Sequence, residues 1–111
     1  MNEKKIKNLL RKFAKDRDWD QFHNLKNLAC ALSVEASELL EIFQWHKNND
    51  IDKVTQNKIC DEVADIMLYL IRFADKANIN IENECLKKIK KNEKKYPINL
   101  SKGISKKYNE L

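Results

Sequence analysis

The sequence predicts an all-α fold, a helical bundle of about four helices per chain completed by homodimerisation. Three observations lead there. The 111 residues include one Gly and one Pro, too few for hairpin turns or glycine-rich phosphate loops, and 42% hydrophobic with 35% charged residues is a helical, soluble composition. Apolar residues recur three and four apart along most of the chain. The stretch from Val63 to Ala74, VADIMLYLIRFA, is apolar nearly all the way round. In so small a chain one face of such a helix packs on its own neighbours and the other needs a partner.

Ile6, Leu9, Leu10 and Phe13 follow helical spacing with basic residues opposite, predicting a first helix from about residue 2 to about 17. Asp16 to Asp20 is polar and breaks the pattern. A second helix is expected from near His23 to about Trp45, carrying Leu25, Leu28, Leu32, Leu39, Leu40 and Phe43. HKNNDID reads as a loop whose Asp50 or Asp52 caps the third helix, Lys53 to about Ala77. After a break at 78–80, a fourth helix carries Ile81, Cys85, Leu86 and Ile89 to about Lys95. Pro97 ends it, and the basic tail 98–111 is expected to be loose. No repeat or linker interrupts the chain, which reads as one domain, 1–111, with its core at about 19–97.

No apolar run is long enough to cross a bilayer, and the N-terminus lacks a signal-peptide core. Cys30, Cys60 and Cys85 are odd in number and widely spaced; they are expected to be reduced core thiols of a cytoplasmic protein. The net charge of +5 comes largely from KKIKKNEKKYP and SKGISKKY. A solvated basic helix is the favoured account, and Glu82, Glu84 and Glu93 interrupt the face that a nucleic-acid binder would need. A third reading, contact with a polyphosphate, fits a cluster of metal-binding acids better than either.

Two acidic pairs carry the chemistry. Glu35 and Glu38, then Glu62 and Asp65, are each spaced i,i+3 within apolar helical patterns, so each pair shares one helix face. An isolated pair of this kind is usually a salt-bridging surface feature. Here the two helices are joined by a short loop and run antiparallel, and both pairs lie a comparable distance from that loop, which sets them at one height. Four carboxylates gathered there call for a cation, and hard oxygen ligands point to Mg²⁺ or Mn²⁺. Glu41 adds one further step to the first row, as an outer-shell group or as ordinary surface. Trp19, Phe22, His23 and Trp45 flank the second helix, where core packing and stacking against a nucleobase are both open readings. Lys88 and Asn92, one turn apart on the fourth helix, are within reach of phosphate oxygens or are surface residues.

Taken together, WDQFHNLKNLACALSVEASELLEIFQW, then DEVADIMLYLIRFAD, then a K-x-x-x-N-x-x-x-YP ending resemble the MazG-like all-α nucleoside triphosphate pyrophosphohydrolases, nearest to the small dCTP pyrophosphatase branch. The similarity covers about Trp19 to Pro97, and its order and spacing are more specific than any one motif. The resemblance implies Mg²⁺-dependent hydrolysis of a nucleoside triphosphate, dCTP-like or a modified deoxynucleotide, to monophosphate and pyrophosphate. It implies Glu35, Glu38, Glu62 and Asp65 as metal ligands, with Glu38 and Glu35 as the catalytic acids and Glu38 steering water onto the α-phosphorus. It further implies Trp19, His23 and Trp45 around the base, and Tyr69, Lys88 and Asn92 at the sugar or phosphates. Dimers, or dimers of dimers, are the implied assembly. The EExxE doublet frequent in the family is incomplete, because Val34 precedes Glu35. The alternatives are a relative of dUTP or phosphoribosyl-ATP preference, and a non-catalytic helical dimer binding nucleic acid through its basic helix.

Overall fold

The computed structural model describes residues 1–46 and 51–110 and is helical throughout, with no strand among the described residues. Its helices are α1 (Glu3–Asp16), α2 (Leu25–Ile42), α3 (Lys53–Lys76), α4 (Ile81–Lys95) and α5 (Ile98–Ser101), with 3-10 turns at Asp20–Phe22 and Tyr108–Glu110. The chain divides into two compact units, Met1–Ile79 and Asn80–Leu111.

In the first unit the boundaries follow from capping chemistry. The side-chain carbonyl of Asn2 accepts from the Lys5 N–H at 3.0 Å, that of Asn24 from Asn27 at 2.8 Å, and the Asp52 carboxylate from Thr55 at 2.7 Å. Each satisfies an N–H that the helix itself leaves unpaired. Asn24 also corrects the expected start of the second helix. It is extended (φ −90°, ψ 168°), so the helix begins at Leu25, and His23 instead closes the preceding 3-10 turn. At the other end α2 stops at Ile42, and Trp45 stands beyond it in a turn rather than on the helix face. Asp52 is the cap of α3; Asp50 lies outside the described residues.

α1 and α3 end in the same way. Asp18 (φ 55°) and Asn78 (φ 57°) take the left-handed conformation. Around Asp18, the Asp18 N–H donates to Lys15 O (3.1 Å) and the Trp19 N–H to Ala14 O (2.8 Å). Around Asn78, the Asn78 N–H donates to Asp75 O (3.2 Å) and the Ile79 N–H to Ala74 O (2.8 Å). These paired bonds are Schellman motifs, in which Asp and Asn replace the usual Gly. At the end of α1 the accompanying apolar contact is present: the Trp19 ring meets Phe13 edge-on, with centroids 5.8 Å apart.

α2 packs along α3, and α1 packs on α3. Residues 38–42 of α2 line one cleft with residues 55–62 of α3, while Glu35 approaches Asp65, so numbers fall on one helix as they rise on the other. The two helices are antiparallel. Among the described residues the buried apolar side chains are Ala14, Leu28, Ile71 and Ala74, with Leu28 and Ile71 the two large ones. The Arg11 guanidinium clamps α1 to α3 through a two-pronged bond to Asp75, at 2.8 and 2.6 Å. The three cysteines are free but exposed on α2, α3 and α4, which corrects the expected core placement.

In the second unit, Asn80 caps α4 by accepting from Asn83 at 3.0 Å, and Pro97 precedes α5. The segment expected as a loose tail carries α5 and the second 3-10 turn, where Tyr108 meets the edge of Tyr96 and lies 4.8 Å beneath the Lys95 ammonium. Among the described residues no helix is long and apolar enough to cross a membrane.

Candidate functional site

The acids meet between α2 and α3. One carboxylate oxygen each from Glu35, Glu62 and Asp65 lies within 4.8 Å of the others, and all three residues are half-buried. Oε2 of Glu35 and Oε2 of Glu62 are buried with no hydrogen-bond partner. Orphaned, desolvated carboxylate oxygens are costly, and the protonation of the cluster reflects it. Burial, with Glu38 and Glu62 close by and the charges of Glu38 and Asp65, pushes the Glu35 carboxyl up to about 7. Glu62 is raised as well, by burial and then by Glu38. A hard divalent cation is the ligand that relieves this arrangement, since it offers charge and empty coordination sites to carboxylate oxygens. The donor set fits such an ion.

Glu38 adjoins Glu35 and Glu62 but lies outside the group of three oxygens. It is exposed and borders, with Glu62, a polar cleft of about 480 Å³ lined also by Glu41, His46, Thr55 and Lys58. Asp65 of the cluster also lines an apolar groove of about 490 Å³. α1 gives it Leu9 and Phe13, the connection gives it Trp19 and His23, and α3 gives it Asp65, Tyr69 and Arg72. Asp65 belongs to both cluster and groove, so the two adjoin. Three of the four expected acids therefore close on one point, and the fourth flanks it. Of the expected base and sugar residues, Trp19, His23 and Tyr69 share the groove. Trp45 is 85% exposed and borders neither cavity, because α2 has already ended. Lys88 and Asn92 are exposed on α4, in the second unit.

Arg72 belongs to the groove although its spacing alone does not single it out. It is 5% exposed and donates from Nε to His23 Nδ1 (3.1 Å) and from Nη2 to Asp20 (2.7 Å), which Lys76 also holds (2.6 Å). Burial, then the charges of Arg72 and Lys76, hold the His23 imidazole below its ordinary pKa. The signal available was a lone arginine in MLYLIRFA, one turn after Tyr69. Lys58 and Thr55 were also missed; nothing in their spacing separates them from ordinary helix surface.

Fold and site together define an all-α protein with an acidic metal-type cluster between antiparallel helices, flanked by one polar and one apolar cavity. The chain belongs to the MazG-like family, whose model matches residues 30–111. It is similar to dCTP pyrophosphatase 1 from Mus musculus (32% identical) and from Homo sapiens (33% identical), each aligned over 96% of this chain. The chain spans about 65% of the length of these relatives. A solved pyrophosphatase from Archaeoglobus fulgidus is 37% identical, with a TM-score of 0.79 over 87% of this chain and 94% of that one.

Proposed function

We propose that the chain is a nucleoside triphosphate pyrophosphohydrolase acting on dCTP or a modified deoxynucleotide, releasing monophosphate and pyrophosphate. The observation that carries this reading is the acid cluster itself, with its orphaned oxygens between a polar cleft and an aromatic-walled groove. Similarity to proteins named as pyrophosphatases supports the same chemistry.

Glu35, Glu62 and Asp65 would hold the cation, Mg²⁺ or Mn²⁺, with Glu38 completing the ring of acids. Bound there, such an ion supplies Lewis-acid neutralisation of the phosphates. Glu38, facing the polar cleft, orients a water and accepts its proton as the water oxygen bonds to the α-phosphorus. The bond to the bridging oxygen breaks, and pyrophosphate carries the electron pair away. Lys58 in the same cleft meets the charge of the phosphates. Trp19, His23 and Tyr69 take the base and sugar in the groove, which excludes water from one face of the nucleoside. Roles for Trp45, Lys88 and Asn92 rest on the family resemblance alone. A homodimer, or a dimer of dimers, in the cytoplasm completes the reading.

Incubating the protein with Mg²⁺ and a panel of canonical and modified triphosphates tests it. Monophosphate plus pyrophosphate is expected, and Glu38→Gln should lower kcat by about 10²-fold or more. Diphosphate plus phosphate as products, or full activity in Glu38→Gln, would show the assignment to be wrong.

A further inference from the structure

Arg72 is a buried cation that the reaction does not employ, placed where an apolar residue would pack more cheaply. Its guanidinium has a fixed fork of donors and no acceptor, and it stays protonated. The Nε–H directed at His23 Nδ1 therefore obliges that nitrogen to be the lone-pair acceptor. A neutral imidazole with Nδ1 unprotonated carries its proton on Nε2. The same guanidinium is itself held on two other sides, by Asp20 at 2.7 Å and by Asp75 at 3.5 Å. Lys76 shares Asp20, and Arg11 shares Asp75, so the two acids are drawn toward cations and neither is free to take over the imidazole.

We propose that Arg72 is a positioning residue for the base end of the groove: it locks His23 in the neutral Nε2–H form, a hydrogen-bond donor and not an acceptor. The proposal rests on the reading that the groove receives the nucleobase. A ring locked as a donor selects a base edge that presents an acceptor, such as a carbonyl oxygen or an unprotonated ring nitrogen. Free in solution, histidine would offer either tautomer, or a cation near pH 6, and would discriminate less. The groove gains its polarity from a residue that itself lies one helical turn from Tyr69 on α3.

The test uses the full chain labelled with ¹⁵N. It has two histidines, so His46→Gln assigns the His23 ring signals. Long-range ¹H–¹⁵N spectra are expected to show Nδ1 unprotonated and Nε2 protonated across pH 6 to 8. Arg72→Lys keeps a cation beside Asp20 and Asp75 but lacks the planar Nε–H. It should give mixed tautomers and raise KM for the preferred triphosphate about ten-fold with kcat little changed. An Nδ1–H ring in the wild-type protein overturns the proposal without any variant being needed. So does an Arg72→Lys protein that melts like the wild type and keeps its KM and its His23 spectrum. A wild-type protein that hydrolyses no triphosphate overturns the proposed function, and this proposal with it; active protein with the wrong tautomer overturns this one alone.

Discussion

Glu35 and Asp75 are both partly buried carboxylates near other charges, yet their protonation is driven in opposite directions. Asp75 faces Arg11 and stays ionised more readily than a free aspartate, whereas Glu35 faces other acids and is raised to about 7. For Glu35 the folded protein binds the proton more tightly than the unfolded chain, whose value is near 4.5. That contribution is fully present below about pH 4.5 and is lost as pH rises through about 7. With a chelator present, Glu35→Gln should therefore raise the denaturation midpoint relative to wild type at pH 8 and not at pH 4. Mg²⁺ should reverse the order at pH 8, because only the carboxylate binds it well. Denaturant titrations at the two pH values decide it; an advantage for Gln that is equal at both would mean that Glu35 titrates normally.

The elements owe their ends to a handful of short polar side chains, and one of these ends is open to improvement. Asn78 sits at φ 57°, a conformation that costs an L-residue energy and costs glycine none. Asn78→Gly should stabilise the first unit by up to about 1 kcal/mol, and Asn78→Val should destabilise it by about 1–2 kcal/mol. Chemical denaturation reads both, and a loss of stability in Asn78→Gly would mean that the Asn side chain itself holds the turn. The sequence showed these elements well where apolar periodicity is strong: α1, α3 and α4 fall within about two residues of expectation. α2 is shorter than expected at both ends, because His23 and the FQW run adjoin its apolar pattern and only Asn24 and the turn after Ile42 mark the stops. In the site, Glu35, Glu62 and Asp65 were legible because i,i+3 spacing fixes a face. Arg72 was not, since its burial depends on Asp20 and His23 arriving from a 3-10 turn that periodicity does not encode.

At the scale of the whole molecule, the first unit has too little interior for the apolar surface it carries. Leu28 and Ile71 are wholly buried, while Val34, Leu40 (71% exposed) and Val63 on α2 and α3 face outward. Full burial of one such side chain is worth about 1.5–3 kcal/mol, so leaving several exposed forgoes most of what a small helical core can supply. An exposed apolar surface on packed helices is the feature that a second copy of the chain covers in the proposed homodimer. Size-exclusion chromatography with light scattering should give twice the 13.2 kDa chain mass or a multiple of it. Leu40→Glu with Val63→Glu should shift that mass toward the single chain and lower the melting temperature in a concentration-dependent way, since an assembly gains stability by mass action. A wild-type chain that runs as a stable monomer at micromolar concentration, with a melting temperature independent of concentration, would rule out the dimer and require these side chains to be covered within the chain itself.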